Sequence, residues 1–257
     1  MVRILKDIEN TRFFEVAIIA GNVVTVKRYE HLNVNGGGAV ERPDNGEGRD
    51  KEANYQNTQK RRRENVRNLV TTNFSKMDKF ITLTFRDGLQ FDICNVQECN
   101  KKYKSLILRL RRYLAKASPG TDLQYLTVIE FQDKRGRGAV HYHMLANIPY
   151  VPKAKLSKIW GYGFIRINAI EKVNHLGAYV TKYMAKDLDD ERLMGQHAYM
   201  HSRNLVMPVE LKNWCCTDTY ALDQLHDILQ GKSPSYAVTY ESENAGLVQF
   251  QQFFLDK

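Results

Sequence analysis

The stretch "LQYLTVIEFQDKRGRGAVHYHMLANI", Leu123–Ile148, reads as two strands, "LQYLTVIEFQ" and "AVHYHMLANI", joined by "DKRGRG". β-Branched and aromatic runs separated by glycines and polar residues suit a hairpin turn or a slightly longer loop, which makes the two strands antiparallel neighbours. Side chains alternate across a strand, so His141 and His143 project to one face and Val140, Tyr142 and Met144 to the other. Two neutral imidazoles so placed make a metal clamp; two satisfied surface histidines are the alternative that the spacing alone leaves open. Glu130 sits in the apolar run "TVIEFQ", where an unpaired carboxylate is costly to bury. Folding back through the turn brings it beside the histidines in one register and sends it to the opposite face in the next. A His, His, Glu set with open positions suits Mg2+ or Mn2+ bound together with a substrate phosphate.

The flanking text extends this hairpin into a domain. "KFITLTFRD" (79–87) alternates Ile81, Leu83 and Phe85 with Thr82, Thr84 and Arg86, the period of a half-buried strand with a hydroxyl-lined face. "KKYKSLILRLRRYLAK" (101–116) places Tyr103, Leu106, Ile107, Leu110, Tyr113 and Leu114 on one helical stripe, with Arg109 among the basic residues around it. "VPKAKLSKIW" reads as a short helix, "GYGFIRINAI" as a strand and "VNHLGAYVTKYMAKD" as a helix. Strand, helix, strand, strand, helix, strand, helix is an α+β order, so the expected fold is a central antiparallel sheet flanked by helices.

In the last of these helices Tyr179 and Tyr183 lie four residues apart, within about 40° on the helical wheel. Each is followed three residues later by a lysine, Lys182 and Lys186. Tyrosine with a pKa near 10 is a weak nucleophile at neutral pH unless a nearby cation favours the tyrosinate. Simple packing of Tyr183 beside the stripe of Val173, Leu176, Val180 and Met184 is the alternative. A three-ligand metal site, tyrosines one helix away and a basic surround together suggest phosphodiester cleavage through a phosphotyrosine.

The ends carry less. Residues 12–28 resemble a strand hairpin, so 1–32 is read as an N-terminal hairpin region. The Gly-, Asn- and charge-rich text after it makes 33–60 a flexible linker or loop. A helix with a basic face follows from "QKRRRENVRNLVTTNF", leaving 61–210 as the main domain and 211–257 as an extension with a short helix and two strands, packed on the same body. The chain has 38 Lys+Arg against 29 Asp+Glu, a formal charge of +9, which favours an anionic partner, nucleic acid first. Arg61, Arg62 and Arg63 of the basic helix and Lys134, Arg135 and Arg137 of the hairpin turn are the DNA-contact candidates. Cys94, Cys99, Cys215 and Cys216 form no CxxC pair and read as reduced thiols. The expectation is a soluble cytoplasmic protein with no membrane span. "GKS" at Gly231–Ser233 lacks the upstream glycine of a P-loop, so no nucleotide cofactor is expected.

"FITLTF", "HYHML" and "YVTKYMAKD", in this order and at these separations, resemble the three motifs of HUH endonucleases, specifically the rolling-circle replication initiators of plasmids and single-stranded DNA phages. "NVRNLVTTN", "IWGYGFIRINAI" and "MHSRNLVMPVE" look like initiator text too, so the resemblance spans roughly residues 60–210. It implies that His141, His143 and Glu130 hold Mg2+ or Mn2+, and that Tyr183 or Tyr179 attacks to leave a 5′-phosphotyrosine and a free 3′-OH. It further implies that Lys182 and Lys186 contact phosphate or activate tyrosine, and that Thr82 and Thr84 belong to a mainly structural motif. The implied partners are single-stranded or hairpin origin DNA and, because no helicase domain is present in the text, a host helicase and polymerase. An HUH transposase or mobilisation relaxase, or a non-catalytic basic nucleic-acid binder, are the alternatives.

Overall fold

The structure, a computed structural model, describes residues 12–30, 51–75, 77–133, 136–169, 190–216, 223–242 and 245–255. It is α+β, built from two compact units: one gathers the chain up to Arg49 with Met207–Lys257, the other is Asp50–Val206.

The second unit holds a five-stranded antiparallel sheet of β3 (Lys79–Thr84), β4 (Tyr125–Gln132), β5 (Ala139–Ala146), β6 (Ile165–Ala169) and β7 (Tyr199–His201), in the order β6-β3-β5-β4-β7. The flanking helices are α1 (Lys51–Asn73), α2 (Val96–Ala117) and α3 (Lys153–Trp160). α2 starts where the Asn95 side chain accepts from the amides of Gln97 and Glu98, satisfying donors that the first turn leaves open. Its buried stripe includes Tyr103, Leu106, Leu110 and Leu114. The Tyr103 hydroxyl meets Thr127 Oγ1 at 2.6 Å, and Tyr142 donates to Asn100 Oδ1 at 2.8 Å. α2 thus covers the sheet face carrying Thr127 and Tyr142, the face opposite His141 and His143. Arg109, read in the sequence as surface charge, donates to the carbonyls of Ile159 and Trp160 at 2.8 and 2.9 Å and so caps the C-terminus of α3.

α1 begins at Lys51, inside the stretch read as linker. The reason is local: "KEANYQNTQKRRREN" is polar but rich in Ala, Glu, Gln, Lys and Arg, all good helix formers. Composition ruled out burial there, not helix.

The first unit pairs ends of the chain that are far apart in sequence. β1 (Arg12–Ala20) and β2 (Val23–Tyr29) form the expected hairpin. β8 (Val209–Cys216) joins β1, and β10 (Gly246–Phe254) joins β2 and β9 (Tyr236–Ser242), in the order β8-β1-β2-β10-β9. Three strands rather than two therefore follow residue 207. α4 (Asp223–Leu229) buries Leu225 and Leu229 against Ala17, Val24, Val26 and Phe253. Opposite each other on β1 and β2, Glu15 and Arg28 form a buried ion pair at 2.9 Å.

Candidate metal centre

The β4–β5 hairpin closes through Gly136 N to Asp133 O and Gly138 N to Gln132 O, both at 2.9 Å. The two glycines have positive φ, 68° and 61°, a conformation that side-chain-bearing residues resist. This closure pairs Glu130 directly with His141 and Val128 with His143. On the other side of β5, Thr84 faces His141 and Thr82 faces His143. Cross-strand partners share a face, so the carboxylate, both imidazoles and the two hydroxyls occupy one patch of the sheet.

Within that patch one ligand atom from each of Glu130, His141 and His143 lies within 4.8 Å of the others. His143 Nε2 is bonded to the Glu130 carboxylate, and its Nδ1 lies 3.2 Å from Thr82 Oγ1. Phe80 stacks on the same ring, with centroids 5.6 Å apart. Carboxylate, hydroxyl and phenyl ring together fix its orientation. His141 is treated differently: it is 9% exposed, and its Nε2 is buried with no hydrogen-bond partner. Burial, aided by the neighbouring His143, lowers its pKa to about 4, so the ring is neutral at physiological pH. A neutral imidazole with a buried, unpartnered nitrogen, beside a second imidazole and a carboxylate, is a donor set that fits a divalent cation. The three residues present fit such an ion on their chemistry alone.

The patch is braced from below. Trp160 Nε1 donates to Thr84 O at 3.0 Å, and Thr84 N and Arg86 N donate to Phe164 O and Tyr162 O at 2.9 Å. Gly163 lies so close that a Cβ there would sit 2.2 Å from Thr84 O and 2.6 Å from Arg86 N. Only glycine lets this loop back onto the end of β3.

Arg137, a DNA-contact candidate, is half-buried and engaged. It donates to Asp87 Oδ1 at 2.8 and 3.0 Å, to Phe85 O at 2.6 Å and to Gln132, tying the hairpin turn to the end of β3. Arg61 and Arg63 are exposed on α1 and Arg62 is half-buried. Lys134, Arg135, Tyr179, Lys182, Tyr183 and Lys186 lie outside the described residues. The chain re-enters at Asp190, where Arg192 binds Asp190 and makes a two-bond contact to Asp133 at 2.7 and 2.8 Å. Its guanidinium also lies 3.7 Å over the Phe131 ring, so the hairpin turn is clamped from this side as well. Sequence reasoning passed over Thr82 and Phe80 as partners of His143. The alternation in "FITLTF" that puts both on one face is the signal that carried them.

Residues 78–188 match the family model of the replication-associated protein ORF2, under half of the 257-residue chain. The matched stretch begins one residue before β3, takes in the whole hairpin with Glu130, His141 and His143, and extends through "YVTKYMAKD". This similarity supports a replication-associated protein with DNA as its partner. No curated protein and no solved structure matches. Among the described residues, no helix is long and apolar enough to cross a membrane.

Proposed function

We propose that the chain is a rolling-circle replication initiator that nicks one strand of its origin DNA and transfers it through a 5′-phosphotyrosine. The observation that carries this reading is the patch of Glu130, His141 and His143, with His141 Nε2 buried and unpartnered, inside the stretch similar to a replication-associated family. A bound Mg2+ or Mn2+ supplies Lewis-acid polarisation of the scissile phosphate. His141 and His143 act as neutral nitrogen donors and Glu130 as the anionic one, while Thr82 holds His143 in the ring orientation that ligation requires.

The nucleophile is Tyr183 or Tyr179. Its oxygen forms a bond to phosphorus as the bond to the 3′ oxygen breaks, leaving the 5′ side on the protein and a 3′-OH to prime synthesis. Lys182 and Lys186 favour the tyrosinate or hold the phosphate. Unwinding and extension fall to a host helicase and polymerase.

Incubation with Mn2+ and a library of single-stranded origin candidates is expected to give a covalent protein–DNA adduct that EDTA prevents. Tyr179→Phe with Tyr183→Phe removes it, since the rings stay and the nucleophile goes. Peptide mapping of the wild-type adduct to neither tyrosine would overturn the assignment.

A further inference from the structure

Along the outer edge of β7, α2 and this edge strand enclose a cavity of about 570 Å3, within the size range of small-ligand sites. Tyr103 and Ile107 line its buried side, with half-buried Tyr125 beside them. Lys104, His197, His201 and Arg203 line its exposed side, and no carboxylate is among the lining residues. Such a cavity accepts an anion joined to a flat, weakly polar ring.

The strand edge adds directional polar groups. Ser202 N donates to Tyr125 O at 3.0 Å, which makes 125 and 202 a bonded pair. The antiparallel alternation then turns the amides and carbonyls of Tyr199 and His201 away from β4. Among the described residues no strand pairs with β7 on that side. Amides and carbonyls presented beside aromatic rings are what the edge of an unpaired base bonds to.

Position relates the cavity to the proposed chemistry. Tyr199 is paired with Val128, and Val128 with His143. The three share one row on one face, so Tyr199 lies two strand spacings, roughly 10 Å, from His143. The rings of Tyr199 and His201 stack, with centroids 6.1 Å apart and planes 25° from parallel, continuing the patch to the sheet edge.

We propose that this edge reads one unpaired nucleotide of the strand engaged at the ligand patch. The base lies against the aromatic side of the cavity and its phosphate between Lys104 and Arg203. The proposal rests on the reading of the chain as a DNA-acting initiator, and binding without metal separates the two.

The test uses the full chain, a fluorescein-labelled 12-nucleotide random-sequence DNA strand and EDTA, with fluorescence anisotropy as the readout. Lys104→Ala with Arg203→Ala, both exposed positions, is expected to lower affinity about tenfold. Two lost phosphate contacts also reduce the slope of log affinity against log salt by about 1.4. The control pair Arg112→Ala with Lys116→Ala, equal in charge and on exposed positions of α2 outside the cavity, shifts both far less. A strand carrying 5-iododeoxyuridine should photocross-link to Tyr125, Tyr199 or His201. Equal effects of the two pairs, cross-links only elsewhere, or tighter binding of the ribonucleotide strand would each overturn the proposal. Cross-links in the cavity without any Mn2+-dependent adduct would leave the cavity standing and remove the nicking reaction.

Discussion

Each unit of the protein sets a carboxylate into a five-stranded antiparallel sheet, and the two are satisfied in different ways. In the first unit Glu15 is fully buried, and its Oε2 accepts from the guanidinium of Arg28, a permanent cation of opposite charge. In the second, Glu130 meets His143, whose charge depends on a proton, and beside it His141 keeps a buried nitrogen without a partner. Glu15 Oε1 is also buried without a hydrogen bond, so an orphaned atom alone does not distinguish the two. The surroundings do. Glu15 is already neutralised by its cation, whereas His141 Nε2 sits with two further lone-pair donors, and among the described residues no other such cluster exists. A polar group inside a sheet is therefore a weak sign of function; several donors converging with no cation among them is the stronger one.

The sharpest way to break the comparison is to remove a donor from the open site. With the reading proposed above, His141→Ala is expected to lower Mn2+-dependent adduct formation by at least about 100-fold, since ligands matter at least as much as the outer partners that orient them. Circular dichroism should change little. Retention of the adduct at wild-type rate would show that the open nitrogen has another purpose.

Breaking the neutralised pair should do the reverse. Arg28→Met leaves Glu15 as an uncompensated buried charge, an effect of about 3–5 kcal/mol on folding. A urea titration of the full chain followed by circular dichroism measures it, and binding of Mn2+ to the folded protein is expected to stay unchanged. A loss of metal binding with the stability intact would erase the distinction between the two sheets.

Gly163→Ala is a smaller perturbation that sharpens the comparison. Its Cβ meets backbone at Thr84 and Arg86 rather than a side chain that can swing away. Overpacking of this kind costs about 1–3 kcal/mol. Thr84 is the cross-strand partner of His141. The melting temperature should therefore fall, and affinity for Mn2+ should fall with it, whereas Gly195→Ala, where no atom lies within 4 Å, leaves Mn2+ affinity alone.

How much of this was legible in the sequence depends on how local the determining interactions are. The hairpin of β4 and β5 was readable because alternation, a glycine-bearing turn and two histidines sit within 26 residues of text from Leu123 to Ile148. The α+β order of the second unit followed from the same short-range periodicities. The pairing of β1 with β8 and β2 with β10 was not, because a strand's sequence states that it wants a neighbour and not which of many distant strands supplies it. α1 was cut short because low apolar content resembles loop when only burial is weighed. Thr82 and Arg109 show the same limit at single residues: each could be placed on a face, but its partner, His143 or the α3 carbonyls, lies 61 or about 50 positions away.

The contact of Arg192 with Asp133 and Asp190 has a consequence of a polymer kind. It pins the chain at Asp190 to the turn that follows Glu130, while β6 pins it at Ala169 beside β3. Residues 170–189, with Tyr179 and Tyr183 among them, are thereby tethered at both ends to the sheet that carries the ligand patch. A tether of that length converts an encounter between two groups into an intramolecular one at millimolar effective concentration. Arg192 need touch neither DNA nor metal to matter, because it sets how often that stretch and the patch can meet.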